Sequence, residues 1–137
     1  MTDETHDDLD EWENAYFSFL RTLEILNKPV SEQCEEMANY NVAWELRDEA
    51  LDVDYLIPQK TLAFTDEQLR MMQEFSRALH AMRAPSFLEK GGTREENLKM
   101  MEHPDWQSVR EIAKKLVVVL ASRTEVNYRY LNMRPSS

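Results

Sequence analysis

The sequence predicts an all-α fold: a single domain, residues 1–137, of about five helices in bundle-like or orthogonal packing. Three observations predict it. The 137 residues include only two glycines, adjacent at Gly91 and Gly92, and five prolines, too little turn chemistry for a small all-β domain. Two Thr-x-x-Gln/Glu capping boxes mark helix starts at Thr65 and Thr93. Apolar residues recur at i, i+3 and i+4 along most of the chain. A chain of this size buries roughly two-thirds of its unfolded surface, and 42% apolar content excludes a disordered composition.

Taken in order, the first helix is expected from about Asp8 to Asn27. Asp8, Asp10 and Glu11 suit the positive end of its dipole, Trp12, Tyr16, Phe19, Leu20, Leu23 and Leu26 form its apolar stripe, and Pro29 ends it. Ser31 reads as the N-cap of a second helix reaching about Asp54, with Cys34/Ala38/Val42 and Met37/Tyr40/Trp44/Leu51 as apolar seams. Residues 55–64 read as a connector, because Pro58 disfavours helix at Ile57 and removes a donor. The Thr65 box, flanked by Phe64 and Leu69 as a hydrophobic staple, opens a helix through Met72, Phe75, Leu79 and Met82 that stops before Pro85. After a loop from Ser86 to Gly92, the Thr93 box opens a short helix through Leu98 and Met101. Pro104 suits the first turn of a last helix with the stripe Trp106, Val109, Ile112, Ala113, Leu116, Val117 and Leu120. Val118 and Val119 lie off that stripe, so this helix is expected to be buried nearly all round; a short strand over Leu116 to Leu120 is the alternative. Residues 1–7 and 134–137 are expected to be flexible.

Charge narrows the function classes. The chain holds 26 Asp and Glu against 16 Lys and Arg, a net charge of −10, which argues against direct nucleic-acid binding through phosphate neutralisation. A basic protein partner, possible as a toxin domain, fits better. The single Cys34 rules out an internal disulfide and a multi-cysteine zinc site and suits a reducing compartment. The start, Met1-Thr-Asp-Glu4, lacks the basic and apolar regions of a signal peptide, and the longest apolar run, Leu116 to Ala121, is six residues, far short of the roughly 20 that span a bilayer. The expected location is therefore cytoplasmic, with no membrane partner.

The charge is unevenly placed. Residues 1–54 carry 16 acidic and three basic side chains, Arg21, Lys28 and Arg47, a local net of −13, whereas residues 55–137 carry 10 acidic and 13 basic ones, a net of +3. One reading is a solvated surface that maintains solubility. The other is an anionic face that steers a cationic partner onto Glu24, Glu32, Glu35, Glu36, Glu45, Asp48, Glu49 and Asp52, with Tyr40 and Trp44 as apolar anchors.

Some of these carboxylates also have metal-ligand spacing. Carboxylates at i and i+3 share a helix face and suit Mg²⁺. Glu32-x-x-Glu35 and Glu49-x-x-Asp52 resemble the E-x-x-E and E-x-x-D helices of the MazG-type all-α nucleotide pyrophosphohydrolases. That resemblance covers about 20 residues and implies magnesium-dependent hydrolysis of a nucleoside triphosphate. No Gly or Pro separates Glu35 from Glu49, so one continuous helix would point the two pairs in different directions. A turn near Asn39 to Asn41 would favour the enzyme, and an unbroken helix the binding module.

Other constellations point to structure. His6, His80 and His103 form no zinc-spaced pair, and His103 before Pro104 reads as a cap. Cys34, among Glu32, Glu35 and Glu36, reads as a core cysteine. No phosphate-cradling or nucleophile-elbow glycine motif is present. One member each of Met71-Met72 and Met100-Met101 is expected in the core. The segment Arg123, Tyr128, Arg129, Tyr130, Leu131, Met133 and Arg134 is expected to dock on the acidic first half of the same chain, or of a second subunit in a homodimer. The leading expectation is a non-enzymatic acidic protein, of the bacterial immunity or antitoxin kind, that occludes a cationic toxin with no catalytic residue, metal or cofactor; the alternatives are the magnesium-dependent hydrolase and a DNA-mimicking inhibitor.

Overall fold

The computed structural model describes the backbone of residues 2–38, 41–59, 63–87 and 92–133, and the side chains of these except 2–8 and 133. Helices α1 (Thr2–Leu26), α2 (Val30–Glu36), α3 (Val42–Ala50), α4 (Val53–Gln59), α5 (Asp66–His80), α6 (Arg94–Met101), α7 (Pro104–Val119) and α8 (Ala121–Met133) follow one another, with a 3-10 turn at Ala84–Ser86. Among the described residues there is no strand. The all-α expectation holds, but the chain is cut into more pieces than five.

Helix α1 is the axis of the fold, packed against α2, α3, α4, α7 and α8. Its buried stripe is the expected one, Trp12, Tyr16, Phe19, Leu20, Leu23 and Leu26. It starts at Thr2, so residues 2–7, expected to be flexible, belong to the helix; residues 134–137 lie outside the described residues. On the other side α5 and α7 pack together, with Met72, Phe75 and Leu79 buried on α5 and Trp106, Val109, Ala113 and Leu116 on α7. Phe19 meets Phe75 edge-on at 5.8 Å and joins the two halves of the core.

The largest correction concerns the expected helix from Ser31 to Asp54, which is two short helices, α2 and α3, and the start of a third, α4. Pro29, not Ser31, stands at the N-cap of α2. Helix α2 ends as the Met37 and Ala38 amides donate to Gln33 and Glu35 carbonyls, and Ala38 takes φ 58°. That left-handed ending is usually glycine's and costs an alanine about 1–2 kcal/mol. Helix α3 starts at Val42 with no side-chain cap from Asn41; instead the Val42 amide donates to Asn97 Oδ1 of α6 at 3.3 Å. A second correction is that Pro58 lies inside α4, where a connector was expected. The Trp12 indole N–H donates to the Leu56 carbonyl at 3.1 Å, giving the end of that interrupted helix a partner from α1.

Both capping boxes form. Thr65 accepts from the Gln68 amide while Gln68 returns to the Thr65 amide, and Thr93 and Glu96 do the same. Gln68 goes further: its side-chain nitrogen donates to the Val119 carbonyl and Ser122 Oγ, both at 3.1 Å, at the step between α7 and α8. Residues 116–119 are helix, but the expectation of burial nearly all round fails. Leu116 is fully buried and Val118 is 73% exposed. Met72 of the first methionine pair is buried and Met71 half-buried, as expected, whereas Met100 and Met101 are both buried.

Arg123 and Tyr130 of the C-terminal segment dock on the acidic N-terminal helix of the same chain, as one expected arrangement had it, whereas Arg129 pairs with Glu125 of its own helix at 3.9 Å, and the Met133 side chain and Arg134 lie outside the described residues. Arg123, 7% exposed, donates from Nη2 to Glu13 Oε2 at 2.7 Å. Asn127 Nδ2 donates to Glu13 Oε1 and to the Glu13 carbonyl, and Tyr130 donates to Asp10 at 2.6 Å. The Arg123 guanidinium also lies over the Trp12 and Tyr16 rings, 4.9 and 5.2 Å from their centroids. Burial pushes the Tyr16 hydroxyl up to about 12, against its hydrogen bond with Thr124.

Candidate functional site

The end of α2, the α3 region and α1 together border a cavity of about 590 Å³. Glu36, Met37 and Ala38 line one side, Glu45, Glu49 and Asp52 a second, and Ser18, Arg21, Thr22 and Ile25 of α1 the third. On α3 the i, i+4 spacing puts Glu45 and Glu49 on one face, and Asp52, in the turn that follows, joins them on the cavity wall. The α1 residues follow the same period, one side of the helix while Phe19 and Leu23 on the other enter the core.

Four carboxylates, Glu36 and Glu49 exposed and Glu45 and Asp52 half-buried, thus line one open space with the Arg21 guanidinium. Burial first raises the Glu49 carboxyl above the ordinary carboxylate range; the 3.4 Å hydrogen bond from Thr22 Oγ1 opposes this, and Glu45, Asp52 and Asp48 add to it. Asp52 is raised by burial and then by Asp48. Glu36 is the reverse case, lowered by the hydrogen bond from Lys28 Nζ at 2.9 Å. Among the described residues no cation lies within ion-pair distance of Glu45, Glu49 or Asp52.

The other expected site residues separate. Glu32, Glu35 and Glu36 line an open groove with Lys28, about 360 Å³, and Glu35 also faces Arg94 of α6 at 3.8 Å. The Glu32-x-x-Glu35 pair therefore does not meet the Glu49-x-x-Asp52 pair; Glu36 is the α2 carboxylate that does. Among the described residues no three His, Cys, Asp or Glu side chains are close enough together to hold a metal ion, so these donors do not fit the magnesium centre that the MazG resemblance implies. Asp48 and Trp44 are exposed on α3, Trp44 at 44%, and Glu24 is exposed on α1. Tyr40 lies outside the described residues. Arg21, Thr22 and Ser18 were not among the expected site residues; the signal that could have found them is their helical period on the polar side of α1, with Arg21 the first cation in the chain.

The remaining reactive groups are structural. Cys34 is buried and its thiol is raised by burial. His103 Nδ1 accepts from the Asp105 amide at 3.1 Å and caps α7, as expected. His80 Nε2 and Ser76 Oγ each meet Asp54 at 2.6 Å, tying α4 to α5; the carboxylate sits between hydroxyl and imidazole, so His80 is not placed to take the Ser76 proton.

The raised carboxyls have a consequence for stability. A carboxyl holding its proton more tightly when folded than when unfolded gives the native state more protons just above the ordinary carboxylate range, near pH 4 to 5, so stability falls as pH rises through that window. Replacing Glu49→Gln with Asp52→Asn is expected to make the protein slightly more stable than wild type at pH 7, and the gap to close below about pH 4. Urea unfolding across pH checks this, and a variant less stable at pH 7 contradicts it.

No helix among the described residues is long and apolar enough to cross a membrane. Comparison with protein-family models, with curated proteins and with solved structures finds no match.

Proposed function

We propose that the chain is a non-enzymatic, cytoplasmic acidic binding protein that occludes a basic protein partner, most concretely as an immunity or antitoxin-type inhibitor of a cationic toxin. One observation carries the reading: Glu36, Glu45, Glu49 and Asp52 line one cavity, and among the described residues the last three have no cation within ion-pair distance. Carboxylates crowded in this way favour an incoming cation, because a guanidinium or ammonium replaces repulsion with charge-assisted hydrogen bonds. Trp44, exposed beside Glu45 and Asp48, supplies an aromatic anchor of the kind that dominates interface energetics.

Association with the partner is expected to slow steeply between about 0.05 and 0.5 M salt, where the Debye length falls from about 14 to about 4 Å. Dissociation should change much less, since it reports short-range packing. Glu45→Lys with Asp48→Lys should weaken binding without unfolding the domain, since Asp48 is exposed, Glu45 is only half-buried, and unpaired surface charges add little stability. The measurement is salt-dependent binding kinetics on the protein recovered by pull-down. An acidic partner, or equal binding by the charge-reversed variant, would leave the acidic surface as a solubility device.

The geometry disfavours the hydrolase alternative, since Glu36, not the Glu32 and Glu35 pair, lies with Glu49 and Asp52, and among the described residues no three donors are close enough to hold a metal ion. That alternative predicts magnesium-dependent release of pyrophosphate from a nucleoside triphosphate, lost in Glu49→Gln. Turnover above about 1 per second would reverse the order of the two readings.

A further inference from the structure

Beyond the cavity, α1 presents a continuous outward face. Asn14, Phe17, Ser18, Arg21 and Glu24 recur at helical spacing and all are exposed, a strip of about 15 Å along the helix. At its N-terminal end Phe17 meets Tyr128 of α8 edge-on, ring centroids 6.1 Å apart, and both residues are 42% exposed. Toward its C-terminal end Ser18 and Arg21 turn into the wall of the acidic cavity. Two large aromatic side chains paired at the surface differ from apolar residues scattered singly, which need no explanation. Ser18 follows Phe17 directly and Arg21 stands about one helical turn on, so the aromatic pair adjoins the α1 wall of the cavity.

We infer that this α1 face docks a cationic amphipathic segment of a protein partner, with apolar side chains covering Phe17 and Tyr128 and a guanidinium or ammonium group entering the cavity of Glu36, Glu45, Glu49 and Asp52. The inference rests on the binding reading above and adds the apolar half of the recognition. Charge complementarity selects the occupant: Glu36 is already paired with Lys28, but Glu45, Glu49 and Asp52 outnumber Arg21 in the cavity and favour a cation, and the net charge of −10 disfavours an acidic segment or an anionic lipid surface. The adjacency of the two halves along α1 selects its form, since an amphipathic helix presents apolar and basic side chains side by side. The carboxylates steer the encounter and the aromatic pair slows release.

The test uses the full chain and three short helical peptides: one with leucine and lysine on opposite faces, one with every leucine replaced by glutamine, and one with every lysine replaced by glutamate. Binding is read by fluorescence anisotropy, with circular dichroism confirming that each variant is folded. The leucine–lysine peptide is expected to bind best. Replacing Phe17→Ser with Tyr128→Ser should weaken it about ten-fold and leave the glutamine–lysine peptide unchanged, while Glu49→Gln with Asp52→Asn should weaken both. If the aromatic variant binds the leucine–lysine peptide like wild type, this inference fails and the acidic cavity reading stands. If neither lysine peptide binds, or the glutamate peptide binds equally well, both fail. Sedimentation showing a dimer that the aromatic variant loses would assign the pair to a second copy and overturn the inference.

Discussion

Replacing Arg123→Ala is expected to destabilise the fold by about 3–5 kcal/mol, the cost of leaving a buried carboxylate without its partner. Glu13 and Arg123 are both nearly fully buried and 2.7 Å apart, so water cannot take over from the lost guanidinium. The change also removes the cation from above Trp12 and Tyr16, a further loss on the order of 1 kcal/mol. Asn127 alone would remain on the Glu13 carboxylate. Combining Glu13→Gln with Arg123→Met removes both charges, and should recover much of the loss, because replacing a buried pair together is far milder than breaking it. Urea unfolding of the three proteins gives the comparison. A loss under about 1 kcal/mol for the single change would mean that the pair behaves as an exposed one, with α8 only loosely held on α1.

The second large effect is expected at Leu116→Ala, about 2–5 kcal/mol, since the residue is fully buried where α7 meets α1 and α5 and its loss leaves a cavity. Val118→Ala, two positions on, should cost under about 0.5 kcal/mol, the usual range for a surface change. The pair of measurements tests orientation as well as burial. Similar losses at both positions would place the helix on a different face.

That contrast shows how far the apolar run was legible. Leu116, Val117, Val118, Val119 and Leu120 are consecutive and all apolar, so hydropathy alone pointed to burial on every side. The preceding period, Trp106, Val109, Ala113 and Leu116, carries the true inward face, and a helix can bury only one stripe against its neighbours. The candidate site was legible as chemistry but not as geometry. The carboxylates on α3 share a face by spacing alone, whereas which α2 carboxylate joins them depends on a turn that no glycine or proline announces.

What the sequence by itself determined is therefore local: the all-α class, the capping boxes at Thr65 and Thr93, the inward stripe of α1, and the concentration of acid in the first 54 residues. Each follows from neighbours within a turn or two, where backbone donors and side-chain period act directly. Tertiary structure decided the division of residues 31–54. The first amide of α3 finds its acceptor on Asn97, the Leu56 carbonyl its donor on Trp12, and Ala38 adopts a left-handed conformation within that packing. It likewise paired Arg123 with Glu13 across 110 positions. In each case the partner is remote in sequence, and a buried polar group is stable only once the packed core brings that partner within reach.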